Sequence, residues 1–407
     1  MAGTPLDPYS RRLFVLLSLA TFFEGFDTIL TSLVMFQLGA EFGVEKSELF
    51  SMLSLLGVGA VCGFVPMRLA DRVGRRPVLL ISVAGYTLLC GLTATATTLQ
   101  EFAAYQFFAR MFMVTELALA YVMLSEEVPA ERRGQLNGWM GGFASLGAIV
   151  PAILLPWSSE LGFGWRGLYA VGASLGVLFP LYVRWIRETK AFAELPPREW
   201  RRELRELFEL AGAPLRSRVA AAAVVWLSVD FWNSCAMFSF AFYVQSERAW
   251  GESDLQIWMP IGGVFQFIGY ALAGRAMDRF GRKPTQIAYL GMASLASIAC
   301  YQAESKALVV ASYFGMVAMG GMWSIAQTIS AELFPTRLRA TANGLTHNLI
   351  GRMGMFLGPS AVGALAMSLD STGDAVALLG LVNFLAIPLL IWLLPETRAA
   401  RLTVDDA

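Results

Sequence analysis

The 407-residue chain reads as an all-α membrane protein: twelve transmembrane helices in two pseudo-symmetric six-helix halves around a central cavity. Three observations predict this. The composition is 56% hydrophobic and 15% charged, where a typical soluble domain carries about 25% charged residues. The apolar residues gather in runs of about 20, the length that crosses a bilayer as a helix. One charged loop also occurs twice, as Asp71-Arg72-Val73-Gly74-Arg75-Arg76-Pro77 and, 207 residues later, as Asp278-Arg279-Phe280-Gly281-Arg282-Lys283-Pro284. A repeat at half the chain length marks duplicated membrane halves.

The expected spans cover 12–37, 48–67, 78–98, 101–124, 135–157, 166–186, 219–244, 255–276, 285–302, 306–330, 340–367 and 374–394. The first follows Arg11-Arg12, carries two carboxylates and lacks a small-residue cleavage site, so it reads as a retained span and not a cleaved leader. Orientation follows from Lys and Arg. Lys46, Arg166, Arg248 and Lys306 fall in the loops of one side, Arg110 and Arg352 fall inside spans, and every other one of the 31 lies on the side of the termini. Both termini are therefore expected in the cytoplasm, with the bacterial inner membrane as the location.

The expected division is a first half over 1–187, a cytoplasmic linker over 188–217 and a second half over 218–407. Within the linker, Trp200, Leu204, Leu207 and Phe208 recur at helical spacing among charges, predicting a short amphipathic helix over 199–210.

Composition also excludes classes of function. Acidic and basic residues number 31 each, so nothing in the charge favours nucleic acid. Cys62, Cys90, Cys235 and Cys300 are scattered through apolar runs and read as small buried hydrophobes. With a single histidine, no metal or other cofactor is expected. No nucleophile–base arrangement or phosphate loop suggests an enzyme.

The duplication extends past the loop. At an offset of 206, Glu131 to Gly138 aligns with Arg337 to Gly344, and Glu24-Gly25-Phe26-Asp27 aligns with Asp230-Phe231-Trp232-Asn233. The halves also end alike, in Glu188-Thr189-Lys190 and Glu396-Thr397-Arg398.

These motifs resemble the major facilitator superfamily over essentially the whole chain. The family's Gly-x-Leu-Ala-Asp-Arg-x-Gly-Arg-Lys is matched well from Gly274, whereas Met67 replaces the first glycine in the other copy. Gly25-Phe26-Asp27 resembles the Gly-Tyr-Asp of sugar porters and, with Glu24, the Asp-Gly-x-Asp of aromatic-acid:proton symporters. Glu332-Leu333-Phe334-Pro335-Thr336 and Gly351-Arg352 likewise resemble the organic-acid branch. Span seven lacks the paired glutamines of sugar porters, and span five lacks the glycine pattern of drug:proton antiporters. The resemblance implies transport by alternating access. It also implies gating loops built from Asp71, Arg72, Arg75, Arg76, Asp278, Arg279, Arg282 and Lys283, with Arg133 and Arg339 after spans four and ten. A plain positive-inside anchor is the alternative reading of these loops. Glu127 and Glu332, each ending a span before a basic loop, are candidate partners.

Ionisable groups inside spans carry the functional reading, because a charge at the bilayer centre costs at least about 2.5–3.5 kcal/mol and so faces a partner or a polar cavity. They are Glu24, Asp27, Arg110, Glu116, Asp230, His347 and Arg352. At 1.5 Å per residue, Asp27 and Arg110 lie at roughly 16 Å and roughly 15 Å from the same membrane face, and Asp230 and Arg352 at roughly 21–22 Å. Asp27 with Arg110 is expected to couple protons, with Glu24 as a second proton site or substrate contact. Arg352, alone or with Arg110, is expected to meet a substrate carboxylate, which a planar fork suits. Static ion pairs locking helices are the structural alternative. Asp230, Asn233, Trp232, Gln266, Trp323 and Gln327, with Phe231, could line a pocket for a ring-bearing ligand, an aromatic core being the alternative. His347 reads first as a packed polar side chain and second as a proton relay.

The expected function is proton-coupled symport of a small organic anion, aromatic carboxylates favoured, by a monomer. Its partners would be the substrate, protons and the lipid bilayer. A sugar, polyol or zwitterion symporter is the next reading, followed by an exporter and a non-transporting membrane receptor.

Overall fold

The computed structural model describes residues 6–128, 130–193, 208–212, 215–335 and 338–397. Most of the expected amphipathic helix lies outside these residues, as do the side chains of Asp71, Arg133 and Arg339.

The described chain is a succession of long helices: α1 Pro8–Phe42, α2 Lys46–Ala70, α3 Arg75–Thr93, α4 Leu99–Glu127, α5 Ala130–Glu160, α6 Gly164–Trp185, α7 Arg216–Ser246, α8 Glu252–Phe280, α9 Arg282–Gln302, α10 Lys306–Ser330, α11 Thr341–Leu369 and α12 Thr372–Leu393. All but α9 contain stretches long and apolar enough to cross a membrane. The 21 residues of α9 match such a span in length, but Gln286, Ser294, Ser297 and Gln302 make it more polar. Local chemistry sets several helix starts. Asp7 accepts from the Ser10 N–H with Pro8 behind it, Thr98 accepts from Glu101 N–H, and Ser305 accepts from Leu308 N–H. Gly43 closes α1 in the left-handed conformation, at φ 64°.

These helices do not hide their apolar side chains from their surroundings. Val65, Val177 and Trp392 are 69%, 79% and 81% exposed, which suits contact with lipid and would be a liability in water. Lipid supplies no hydrophobic force between helices, so close backbone approach holds them together. A Cβ on Gly25 or Gly147 would overlap the carbonyl of Ala144 or Phe22, so α1 and α5 touch along their backbones.

Among the described residues the chain divides into two compact units. The first comprises Met1–Gly43, Gly59–Arg198 and Gly251–Pro260, the second Val44–Val58, Glu199–Trp250 and Ile261–Ala407. The opening turns of α8 belong to the first unit, where Gln256 Nε2 donates to Ile153 O at 3.0 Å and Gln37 Nε2 donates to Glu252 at 3.0 Å. The opening turns of α2 belong to the second, where Phe50 meets Phe242 edge-on with ring centroids 5.7 Å apart and Ser360 Oγ donates to Ser54 Oγ at 2.8 Å.

In each unit a glutamate at the end of one long helix ties down a later one, Glu41 of α1 holding α6 and Glu247, just after α7, holding α12. Glu41 accepts from Trp165 Nε1 at 2.6 Å and pairs with Arg166 at the start of α6. Glu247 accepts from the Thr372 and Gly373 N–H groups at 2.6 and 3.2 Å, capping α12, with Lys46 3.6 Å away. These glutamates are 206 residues apart, so they belong to the repeat although the motifs above do not include them.

Half-burial pushes the Glu247 carboxyl up, but the Thr372 and Gly373 N–H groups and Lys46 outweigh burial and hold it below its usual range. Its contribution to stability is therefore fully present above the unfolded glutamate value of about 4.3. That contribution is lost as pH falls through the lower folded value. Melting curves between about pH 6 and about pH 3 should show the loss. Glu247→Gln should lower Tm by about 2 °C at neutral pH and flatten the acid limb. An unchanged acid limb in the variant would remove this capping role.

Candidate functional site

The first unit buries its charged cluster on one face of α1, where Glu24, Asp27 and Thr28 stand three and four residues apart. The Gly25 and Gly147 contacts fix how that face is turned. Asp27 is fully buried. The Cys90 thiol of α3 lies 3.5 Å from its Oδ1, while Oδ2 has no hydrogen-bond partner among the described residues. Arg110 of α4 is 5% exposed and acts electrostatically on Asp27. Its Nη1 donates to Thr28 Oγ1 at 3.4 Å, and Thr28 donates to Glu24 Oε1 at 3.0 Å. A relay of side chains thus links Glu24 to Arg110 beside Asp27. Glu116, six residues further along α4, is buried with Oε1 unpartnered among the described residues, and Glu24 is the charged group that acts on it.

The second unit buries a different set. Asp230 of α7 and His347 of α11 are 5% and 6% exposed, with His347 Nε2 4.0 Å from Asp230 Oδ2. The imidazole stacks on Trp226 at 3.6 Å and 15°, and Trp323 of α10 meets it edge-on at 6.1 Å. Arg352 acts electrostatically on both Asp230 and His347, and its Nε donates to Asn348 Oδ1 at 3.5 Å.

Backbone geometry explains why these groups meet. Both α7 and α11 widen into π-helix, over Asn233–Met237 and Gly344–Gly351, a local underwinding that recurs at functional sites because it turns side chains out of register. Where the two helices cross, a Cβ on Gly351, Gly354 or Gly358 would strike Trp226, Phe231 or Ser234.

The remaining expected pocket residues divide between two surroundings. Trp323 and Gln327 are half-buried, one turn apart on α10, and Trp323 meets Trp226 edge-on at 5.8 Å. Asn233 is half-buried within the π segment, and the Gln266 side chain lies against Gly320. Trp232 instead faces α9, its indole N–H bonded to Ser297 Oγ at 2.8 Å and Ala293 O at 3.2 Å. Trp226, which no motif marks, takes the place beside His347. Its position four residues before Asp230, and so on the same helix face, was the available signal.

The repeated charged loops join motifs that are remote in sequence. Glu188 accepts from Arg75 N–H at 3.0 Å and Arg76 N–H at 3.2 Å, capping α3. Arg75 reaches Glu126 at 3.4 Å, to which Thr189 donates at 2.5 Å. In the second unit Glu396 accepts from Arg282 N–H at 2.9 Å and Lys283 N–H at 3.2 Å, capping α9. Arg282 meets Glu332 at 2.9 Å, and Thr397 donates to Glu332 at 2.6 Å. Gly74 and Gly281, at φ 112° and 101°, sit where a Cβ would also hit the Glu188 or Glu396 carboxylate, so both sterics and backbone require glycine there. Asp278 lies 3.7 Å from Arg282, and Arg279 lies over the Phe280 ring. Arg76 donates to Ile186 O and Lys283 to Ile391 O, while Arg72 is exposed in the last helical turn before Gly74.

Arg75 is therefore met by Glu126, whereas Glu127, the expected partner, accepts the Lys190 N–H at 2.7 Å. Adjacent helical residues point about 100° apart, so only one of the two can face Arg75. The 206-residue offset from Glu332 singles out Glu126.

Charged clusters enclosed by helices whose outer faces are apolar define a multi-pass membrane protein with buried ionic sites, the arrangement of proteins that move polar solutes. The chain belongs to the Major Facilitator Superfamily: the family model matches residues 17–247 and 227–406, so the protein is a transporter and not an enzyme. It is 26% identical over 393 residues to the 4-hydroxybenzoate transporter of Pseudomonas putida, covering 87% of this chain and 86% of that protein. It is likewise 26% identical over 384 residues to the cis,cis-muconate transport protein of Acinetobacter baylyi, covering 91% of each. The crystal structure of a D-xylose–proton symporter superposes with a TM-score of 0.75 at 18% identity, over 96% of this chain and 99% of that one. That likeness shows the fold.

Proposed function

We propose that this transporter carries a small organic anion, an aromatic carboxylate by preference, together with protons, by alternating access. The observation that carries the reading is that each unit buries a carboxylate within electrostatic reach of an arginine, Asp27 with Arg110 and Asp230 with Arg352. Arginine keeps its charge under all ordinary conditions, so in each pair the carboxylate is the member that can take up a proton. The two relatives above that move aromatic or unsaturated acids support the choice of cargo.

In this reading Asp27 exchanges the coupling proton, Arg110 sets its affinity, and Glu24 is linked to Arg110 through Thr28. Arg352 receives the substrate carboxylate, Asp230 tunes that affinity, and Trp323, Gln327, Asn233 and Gln266 contact the rest of the cargo. Trp232 supports α7 from the α9 side. The capped loops at Gly74 and Gly281 act as latches of the gating cycle. The twelve helices are twelve spans in halves 1–187 and 218–407, joined by 188–217, with both termini in the cytoplasm of a bacterial cell and the monomer as the working unit.

Uptake into proteoliposomes decides the function. Accumulation of 4-hydroxybenzoate or cis,cis-muconate should require an inward proton gradient and collapse with a protonophore. Gradient-independent uptake would remove the coupling. Selective uptake of sugars, polyols or zwitterions over carboxylates would remove the cargo assignment.

A further inference from the structure

We propose that Asp230 and His347 form a proton-binding dyad whose charge governs the affinity of Arg352 for a carboxylate. The inference rests on the reading of Arg352 as the carboxylate's partner and adds a second proton site, in the second unit, to the one at Asp27. His347 is the chain's single histidine, and its position leaves its ring little freedom. One face of the ring is covered by Trp226 at 3.6 Å, whose own N–H is committed to Ser330 Oγ at 2.7 Å. Trp323 closes an edge. The ring therefore stays with Nε2 directed at Asp230 Oδ2, 4.0 Å away, and that oxygen has no hydrogen-bond partner among the described residues. A slight approach would close a hydrogen bond carried by one proton.

Among the described residues, Arg352 is the other charged group that acts on the dyad. Asp230 comes from α7 and Arg352 from α11 itself, while Trp226, Trp323 and Ser330 are neutral. Glu332, nine residues beyond Trp323 on the same helix, is held by Arg282 and Thr397. The charge balance is then simple. Without a proton on the dyad, the Asp230 carboxylate offsets Arg352, and an incoming carboxylate meets a neutral site with a negative charge in it. One proton added to Nε2 or Oδ2, with no other bond changed, makes the dyad neutral overall and leaves the charge of Arg352 for the incoming anion. The proton and the substrate therefore favour each other's binding, and the coupling is reciprocal.

The test uses the full-length, tag-free protein in nanodiscs, so that histidine labelled with ¹⁵N yields one imidazole signal. That signal should change protonation state or hydrogen bonding between about pH 5 and about pH 9, and Asp230→Asn should move or abolish the transition. Binding of 4-hydroxybenzoate should weaken about tenfold or more as pH rises through the same transition. Asp230→Asn, which stays neutral, should bind with the low-pH affinity at every pH, while His347→Gln should displace the transition. A flat imidazole signal, or wild-type pH dependence retained in Asp230→Asn, overturns the dyad. Binding that is tight but independent of pH overturns the dyad and spares the carboxylate reading. Absence of binding at every pH overturns that reading and this inference with it. Melting temperature checks that both variants are folded.

Discussion

Asp27→Asn is expected to abolish accumulation driven by a proton gradient while leaving substrate exchange across the membrane running. Asparagine keeps the shape and can still accept from the Cys90 thiol, but it cannot take or release a proton. The side chain is fully buried and its contacts are short-range, so the change falls on charge more than on packing. Removing one member of a buried ion pair ordinarily destabilises strongly, because it leaves the other charge uncompensated. Here Arg110 retains a link to the Glu24 carboxylate through Thr28, which should keep the variant folded. Proteoliposomes separate the two activities: the variant should equilibrate labelled substrate by counterflow and fail to concentrate it under a gradient. If accumulation survives at wild-type levels, the coupling proton is carried elsewhere. Loss of counterflow and accumulation together would make Asp27 a structural residue.

The second large effect is expected at Arg352. A guanidinium can hold a carboxylate through two parallel N–H groups, and an ammonium cannot. A hydrogen bond to a charged group is worth about 1.5–3 kcal/mol, and every 1.4 kcal/mol is about tenfold in affinity. Arg352→Lys should therefore weaken carboxylate binding about tenfold to a hundredfold, with the positive charge at the site retained. The check is a binding comparison of 4-hydroxybenzoate against its uncharged amide. The variant should lose affinity for the acid alone. Equal losses for both compounds would show that Arg352 shapes the pocket without meeting the carboxylate.

Much of this arrangement was legible in the chain because several of its rules are one-dimensional. Helix rise per residue is constant, so counting from the span ends placed Asp27 with Arg110 and Asp230 with Arg352, and in the structure each arginine acts electrostatically on its carboxylate. The repeated motifs are also built alike in the structure, where Glu188 and Glu396 cap their helices in the same way. Rotation about the helix axis was less legible. Glu126 and Glu127 are indistinguishable by depth, yet one meets Arg75 and the other Lys190. Trp232 matched the acidic repeat in sequence, but it faces Ser297 while Trp226 lies against His347. Part of the cause is that π-helix in α7 and α11 breaks the regular 100° step on which any count of faces depends.

By itself the sequence determined the class of the protein, its succession of long apolar helices and the repeat of its motifs. Those properties follow from composition, segment length and a fixed rise, all of which add up along one chain. Tertiary structure alone decided which side chains share a surface: Cys90 against Asp27, His347 between Trp226 and Asp230, and a glutamate from the segment after a distant helix on each glycine turn. Those contacts depend on how each helix is rotated and where two backbones can touch. Rotation and approach are set by packing against residues far away in the chain, so no local pattern encodes them.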